Sequence, residues 1–263
     1  LQVLTKNDNG TLGCKIIDGG ILKSKRHVNL PGIRVNLPAI TNKDRADITF
    51  GIEQEVDFIA LSFVREAEDV RELKALLGKK AGKIKIIGKI EDQSGVANLD
   101  EILQEVDGIM VARGDLGVEI NLAELPNVQR QIVRRCAEEG KRVIVATHLL
   151  ESMIENPIPT RAEVTDVANA IYEEVDAVML SGETTIGKYP IRCVEQLVEI
   201  ARASERVPGL GFVQKLTPDS DKQQVAHYAV QLAESLGAKG TVVLTRRGYM
   251  ADFVTNCHPQ KSR

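Results

Sequence analysis

The sequence has few aromatic residues, no tryptophan and little net charge. Aromatic side chains make up 3% of the 263 residues, and 34 basic side chains stand against 37 acidic ones, for a formal charge of -3. Proteins that bind nucleic acids are normally basic and often stack bases on aromatic rings, so these shortages argue against nucleic acid as a partner. No apolar run approaches the roughly 20 residues that cross a bilayer, so we expect no membrane-spanning segment.

Cysteine is also scarce, and its spacing indicates neither a metal site nor a redox motif. Cys14, Cys136, Cys193 and Cys257 lie far apart and form no C-x-x-C pair. No cluster of histidine and cysteine has the spacing of zinc ligands. We therefore expect ordinary reduced thiols, mostly buried, in a protein of the cytoplasm.

The first 30 residues contain short apolar runs separated by strong turn dipeptides. Asn9-Gly10 and Gly19-Gly20 divide runs at residues 1–4, 11–17 and 21–22, which predicts β-strands joined by turns. Proline and glycine at residues 31–32 mark a domain boundary. Because the sequence starts at Leu1 and stops just after a predicted helix, we expect it to be a fragment of a longer chain.

Strands and helices then alternate, which predicts an α/β fold with a parallel sheet covered by helices. Thr41 and Asp44 form a predicted capping box at the first helix. The predicted strands cover residues 57–63, 83–90, 108–112, 142–146 and 177–180. After a break at residues 207–211, a helix (221–236), a strand (240–244) and a helix (249–256) predict the start of a second α/β unit. We thus expect three domains: residues 1–30, 31–206 and 207–263.

Polar side chains follow the predicted strands at their carboxyl ends. Ser62, Thr147 and Ser181 each stand at the end of a strand. A period of two places Lys89 beside Glu91 on one side of its strand, and Arg113 beside Asp115 after the next one. In a parallel α/β barrel this is the end that carries the active site.

Two carboxylates on consecutive strands could converge on one hard cation. Glu91 and Asp115 fit Mg²⁺, which takes oxygen ligands and usually needs only one or two carboxylates besides substrate oxygens and water. The alternative is that both acids merely cap the helices that follow. Lys89 lies in an isoleucine-rich strand, so it needs Glu91 or a substrate anion as a partner; a purely structural ion pair is the alternative. Thr147 and Ser181, taken singly, are more typical of turn or cap hydroxyls, and only their joint placement on one rim favours a functional role.

Together these residues resemble the pyruvate kinase family, and the resemblance extends over essentially the whole chain. The segments that carry it are residues 28–32 (VNLPG), 57–65 (DFIALSFVR), 89–91 (KIE), 107–117 (DGIMVARGDLG), 151–154 (ESMI), 159–163 (PTRAE), 166–170 (DVANA) and 178–184 (VMLSGET). The resemblance implies phosphoryl transfer between phosphoenolpyruvate and ADP in glycolysis, giving pyruvate and ATP. It implies a TIM-type (β/α)8 barrel of which this chain holds the later five units, a remnant of a β-rich lid and the start of an α/β C-terminal domain.

The resemblance also assigns roles to residues. Glu91 and Asp115 match the magnesium ligands, and Lys89 matches the lysine that neutralises the transferring phosphoryl group. Gly114, Asp115 and Thr147 match substrate-contacting positions, and Thr147 or a bound water is expected to protonate the enolate carbon.

Further roles are assigned around the same pocket. Ser62 and Ser181 match serines that flank it, Arg113 is a substrate-binding candidate beside Asp115, and Lys25 matches a lid lysine near the nucleotide. His148 stands where many family members have glutamine or asparagine; we expect a packed or solvent-facing ring there rather than a pH sensor.

Parts of the family's usual architecture are missing from the chain. The resemblance implies K⁺ as a second cofactor, with ligands in an N-terminal part that this sequence does not include, and a homotetramer for the full-length protein. Because a barrel of this type needs eight strands to close, we expect residues 1–263 alone to turn over poorly. Two alternatives stay open: a magnesium-dependent aldolase or lyase acting on pyruvate or oxaloacetate, and a non-catalytic barrel fragment. The string SGETTIGKYP at residues 181–190 argues against the lyase.

Overall fold

A computed structural model describes residues 1–21, 38–246 and 248–260. Two compact units divide the chain, one within residues 1–30 and one within residues 31–263. Lys25, the predicted nucleotide contact, lies outside the described residues, as do residues 28–32. None of the helices in the described part is long and apolar enough to cross a membrane.

The first unit is an antiparallel hairpin. Strands β1 (Gln2–Lys6) and β2 (Leu12–Lys15) pair, with Gln2 opposite Lys15 and Lys6 opposite Leu12. Gly10 closes the turn with a φ of 79°, a conformation that glycine adopts without strain. Both strands lie where the turn dipeptides predicted them, and the rest of the predicted run at residues 21–22 lies outside the described residues after Ile21.

The second unit contains a five-stranded parallel sheet in the order β3-β4-β5-β6-β7. The strands are β3 (Phe58–Leu61), β4 (Lys85–Ile90), β5 (Gly108–Ala112), β6 (Arg142–Ala146) and β7 (Ala177–Met179). Sequential strands are neighbours, and each is joined to the next by at least one helix, so all their carboxyl ends meet at one edge. This is the α/β arrangement of a partial TIM-type barrel.

Helices precede, connect and follow the strands and cover one side of the sheet. They are α1 (Asn42–Glu53), α2 (Ala67–Leu77), α4 (Leu99–Glu105), α6 (Leu125–Glu138), α7 (Arg161–Tyr172) and α9 (Pro190–Ser204). The predicted Thr41–Asp44 capping box starts α1: the Asp44 carboxylate accepts the Thr41 amide at 2.8 Å. Three short helices begin directly after strands and were not predicted: α3 (Gln93–Ala97), α5 (Arg113–Glu119) and α8 (Gly182–Thr185).

The core lies between the sheet and these helices. The alternation of buried and half-buried residues along β4 shows which side chains face away from this core. Along β4, Ile86, Gly88 and Ile90 are buried, whereas the intervening residues, Lys89 among them, are half-buried. The period of two that packs the isoleucines into the core therefore turns Lys89 to the sheet's other face. Strand β5 is buried along its whole length.

A short repeat that our sequence analysis did not detect fastens the amino ends of the strands. The tripeptide Glu-Val-Asp occurs at residues 55–57, 105–107 and 174–176, just before β3, β5 and β7. The Asp107 carboxylate accepts the Ile86 amide at 2.9 Å, and the Asp176 carboxylate accepts the Val143 amide at 2.7 Å. Each of these aspartates thus joins its own strand to the preceding one.

The region after residue 207 packs on the rest of this unit through two helices. They are α10 (Asp221–Ser235) and α11 (Tyr249–Asn256), close to the predicted ranges. Arg142 of β6 pairs with Asp252 at 3.2 Å. The predicted strand at residues 240–244 is wrong: the segment is irregular, and Val242 and Leu244 are 91% and 93% exposed. A single apolar run is not a strand unless it pairs with another one, and this segment pairs with no strand of the described residues.

Candidate active site

Strand β4 carries the strongest cluster of charged groups at the carboxyl edge of the sheet. The Lys89 ammonium lies 2.8 Å from Glu91 Oε1 and donates to Ser62 Oγ at 2.9 Å. Lys89 and Glu91 therefore share a side, as the period of two predicted, and Ser62 joins them from the end of β3. The Lys89 side chain remains 24% exposed, so its ammonium can still reach a ligand.

Glu91 is almost completely buried, at 1% exposure, and both of its oxygens have partners. Besides Lys89, it accepts the backbone amide of Phe63 at 2.6 Å. Phe63 adopts a φ of 51°, unusual for a non-glycine residue, and this turn aims its amide at the carboxylate. Phe63 is thus a site residue that sequence reasoning missed, because no local sequence pattern predicts a phenylalanine with a left-handed backbone conformation.

The end of β5 continues directly into helix α5. Arg113, Gly114 and Asp115 form the first turn of this helix. The Gly114 amide donates to Thr147 Oγ1 at 2.8 Å, which joins the ends of β5 and β6. Among the described residues, the half-buried Asp115 carboxylate has no hydrogen-bond or ion-pair partner.

Thr147 and His148 follow β6 in a strained turn. Their φ angles are 69° and 54°, so two successive non-glycine residues are left-handed. The Thr147 hydroxyl donates to the Ala146 carbonyl at 2.7 Å and accepts the Gly114 amide. The His148 ring is 57% exposed and lies 3.6 Å from Glu151.

Arg113 is a predicted substrate contact, but its guanidinium is buried against protein groups. It donates to the Thr147 carbonyl at 2.8 Å, and its ion pair with Asp166 spans 2.7 Å. Its side chain is only 8% exposed. The structure therefore directs Arg113 to the backbone of the neighbouring loop.

Ser181 follows β7 and is held by a buried acid that sequence reasoning also missed. Glu183, 2% exposed, accepts the Ser181 amide at 2.8 Å and the Leu150 amide at 3.1 Å. It therefore fixes the end of β7 to the loop that follows Thr147. The SGET string contains this acid, but a glutamate four residues after the end of β7 is equally typical of a solvent-exposed helix cap.

The chemistry of the acids fits a magnesium ion better than a transition metal. Within the described ranges, no group of three or more histidine, cysteine, aspartate and glutamate side chains is arranged to hold a metal ion alone. Glu91 and Asp115 supply only carboxylate oxygens, and no described residue hydrogen-bonds or ion-pairs with the Asp115 side chain. Mg²⁺ commonly takes one or two carboxylates and completes its shell with water and substrate oxygens, so this donor set fits it.

Comparison with known proteins decides which fold family these groups belong to. A family profile described as "Pyruvate kinase, barrel domain" matches residues 1–194. The chain belongs to the pyruvate kinase family. Curated relatives named pyruvate kinase include those of Geobacillus stearothermophilus (51% identical, over 85% of this chain and 40% of the relative), Dictyostelium discoideum (46%, over 97% and 52%) and Clostridium perfringens (42%, over 98% and 56%).

Membership in the pyruvate kinase family confirms the resemblance seen in the sequence. The similarity supports a phosphotransferase rather than the magnesium-dependent lyase that the acidic pair alone allowed. The chain spans about half the length of the curated relatives it matches. Activity, substrates and partners of the whole pyruvate kinase are therefore taken up as proposals.

Proposed function

We propose that this chain supplies the magnesium- and phosphoryl-binding side of a pyruvate kinase, which transfers a phosphoryl group from phosphoenolpyruvate to ADP and releases pyruvate and ATP. The observation that carries the proposal is the Lys89 ammonium, held by Glu91 and Ser62 at the carboxyl edge of the sheet. Membership in the family supplies the reaction, and the cluster supplies the groups that the reaction needs.

Lys89 stabilises the phosphoryl group during transfer. In the transition state of the transfer, the phosphoryl group spreads negative charge over its oxygens. Catalysis therefore consists mainly of positioning the reactants and stabilising this charge with cations. The ammonium is fixed by two partners on neighbouring elements, so it needs little reorganisation when the charge develops. Glu91 lies 2.8 Å from the ammonium and compensates its positive charge, while the Lys89 side chain stays 24% exposed toward a ligand.

Glu91 and Asp115 would hold the divalent cation. Glu91 is anchored by the Phe63 amide, so its carboxylate is fixed before any ion binds. When bound, Mg²⁺ supplies positive charge to the phosphate and enolate oxygens. K⁺ is the second cofactor we propose, and its ligands lie outside this chain.

Gly114, Asp115 and Thr147 would line the substrate position, with Ser62 and Ser181 at its flanks. The Thr147 hydroxyl already donates its proton to the Ala146 carbonyl. This pattern supports a role in which Thr147 orients a water molecule that protonates the enolate carbon, one of the two roles its position suggests.

We place Lys25 near the nucleotide on the resemblance alone, and we propose a cytoplasmic homotetramer for the full-length protein.

The test is a coupled assay for ADP-dependent pyruvate release. It is run on residues 1–263 and on a chimera in which this chain replaces the matching segment of the Geobacillus stearothermophilus relative, which supplies the remaining strands. We expect activity in the chimera and, in its Lys89→Met variant, a loss of at least about 100-fold in kcat, the scale of removing one charge-stabilising group.

Lys85→Met is the matched control, because Lys85 lies on the same strand but pairs with Asp107 at the opposite end. We expect it to retain most of the kcat. A folded chimera without ADP-dependent pyruvate release would refute the proposed function and favour a non-catalytic fragment. Equal losses in both lysine variants would remove Lys89 from the chemistry.

A further inference from the structure

The loop after β6 is held in a conformation that its own residues do not favour. Thr147 and His148 are both left-handed, and neither is glycine. A branched threonine is especially unfavourable there, so surrounding groups must impose the turn. The turn matters because it decides where the Thr147 hydroxyl points.

One side chain contacts the carbonyls of both strained residues. The Arg113 guanidinium donates from Nη2 to the Thr147 carbonyl at 2.8 Å and to the His148 carbonyl at 3.1 Å. Its Nε donates to the Thr147 carbonyl as well, at 3.2 Å. The guanidinium therefore joins two successive carbonyl groups that the turn directs toward it.

The guanidinium is itself oriented from two helices. Its Nη1 donates to Asp166 Oδ1 of α7 at 2.7 Å and to Gln129 Oε1 of α6 at 3.4 Å. Gln129 is 3% exposed. A lysine ammonium could pair with Asp166 but could not also donate to Gln129 and to the two loop carbonyls. Only the planar guanidinium presents its N–H donors in several fixed directions.

Arg113 and its neighbour Gly114 thus hold the same residue from two sides. Arg113 binds the Thr147 carbonyl, and the Gly114 amide binds the Thr147 hydroxyl. The next residue, Asp115, is a proposed magnesium ligand. The first turn of α5 therefore links the orientation of Thr147 to that of the cation site.

We infer that Arg113 is a positioning residue, which imposes the Thr147–His148 turn through its backbone carbonyls and so fixes the Thr147 hydroxyl, rather than a group that touches substrate. The inference rests on the proposed function for its catalytic consequence, but its structural part can be tested without any activity. At Leu150, the loop after β6 is held separately by Glu183, which accepts the Leu150 amide. Arg113 therefore acts on the part of the loop that carries Thr147.

The structural part is tested by hydrogen exchange of single amides in residues 1–263. In the Arg113→Lys variant we expect the Gly114 amide, which donates to Thr147 Oγ1, to exchange at least about tenfold faster, because its acceptor is no longer held in place. Asp166→Asn, which keeps the guanidinium but removes its charged partner, should give a smaller change of the same kind. Unchanged exchange at Gly114 in both variants would overturn the inference.

The matched control is Arg135→Lys on helix α6. Arg135 also binds several carboxylates, those of Asp100, Glu138 and Glu139, but makes no contact with the loop after β6. We expect exchange at Gly114 to stay as in the parent chain. An equal acceleration in this control would show general loosening and would also count against the inference.

The catalytic part is tested in the chimera described above. Arg113→Lys should lower kcat by about 10- to 100-fold, the effect of a misplaced catalytic group, while KM for phosphoenolpyruvate changes little. Combined with Thr147→Val, it should cause almost no further loss, because both changes remove the same interaction. Added guanidinium ion should restore part of the kcat of Arg113→Ala.

The outcomes separate the two proposals. A chimera that is inactive without any substitution refutes the proposed function, whereas the exchange result still decides whether Arg113 holds Thr147. An active chimera in which Arg113→Lys and Thr147→Val have multiplicative effects, or in which only KM rises, shows that Arg113 does not act through Thr147. A rise in KM alone would instead return Arg113 to the role of a direct substrate contact.

Discussion

Buried or partly buried carboxylates fix individual residues of the active edge by accepting backbone amides. Glu91 accepts the amide of Phe63, Glu183 that of Leu150, and Glu163 that of Ser152 at 2.7 Å. Each of these acids reaches a segment distant in sequence, and each bond joins a charged acceptor to a neutral donor, which strengthens it. The loops at this edge are therefore positioned by acids as much as by packing.

Glu163 provides a prediction for the pH dependence of stability. Burial alone would raise its pKa, but hydrogen bonds from the Ser152 side chain and backbone and from Thr160 outweigh burial and lower the pKa below the ordinary value of 4.5. The unfolded chain therefore binds a proton at Glu163 before the folded chain does. The resulting stabilisation is complete above pH 4.5 and is lost as the pH falls through the lower folded pKa.

We expect Glu163→Gln to lower the free energy of unfolding at pH 7 by about 1–2 kcal/mol and to make the curve below pH 4.5 less steep. Urea unfolding between pH 3 and pH 7, at about half-unit steps, measures both effects. Glu68→Gln is the control, because that carboxylate is 72% exposed and pairs only with Arg71. If the free energy of unfolding of Glu163→Gln falls with pH below 4.5 as steeply as that of the parent chain, the prediction is contradicted.

Among the secondary-structure elements, the inner strands β5 and β6 of the sheet were predicted best. The predicted ranges of β5 and β6 coincide with the structure, and so does that of α11. The short helices after β4, β5 and β7 were missed because each contains glycine, which reads as a turn. Packing explains one of these glycines: a side chain at Gly95 would meet the Val64 carbonyl at 2.6 Å.

The Glu-Val-Asp repeat yields a prediction about the elements it joins. Asp107 accepts the Ile86 amide and pairs with Lys85, so Asp107→Ala leaves an amide of β4 without its acceptor. We expect this substitution to lower the free energy of unfolding by about 1–3 kcal/mol. Urea unfolding of residues 1–263 provides the measurement.

Asp57 is the matched control, because it ends the first copy of the same tripeptide. Among the described residues its carboxylate has no partner, so Asp57→Ala should change the free energy of unfolding by less than about 0.5 kcal/mol. Similar losses for Asp57→Ala and Asp107→Ala would show that the tripeptide, rather than the bond between strands, determines the stability.

At the scale of the whole molecule, the sheet has two outer strands. β3 and β7 each pair on one side only within the described residues. Phe58 on β3 is 61% exposed, and Phe50 on α1 is 62% exposed. A strand with one unpaired edge and exposed aromatic neighbours is a template for association with another chain.

We therefore expect residues 1–263 to self-associate as their concentration rises. Phe58→Lys should raise the concentration at which association begins by at least about tenfold, because an edge charge opposes strand pairing. Sedimentation velocity over a concentration series measures this. Ile158→Lys places the same charge at an equally exposed loop residue (60%) and should leave association unchanged. A chain that stays monomeric at every concentration would contradict the prediction.

The sequence alone predicted five parallel strands that alternate with helices, the edge at which polar groups collect, and the shared side of Lys89 and Glu91. These features follow from local periodicity and from the alternation of strands and helices, and both are determined by residues that are close in sequence. Only the tertiary structure decided that Arg113 faces the backbone of residues 147–148, that Glu91 binds the Phe63 amide, and that residues 240–244 form no strand. These outcomes depend on partners far away in sequence, and no local pattern specifies which distant donor or acceptor a buried group will meet.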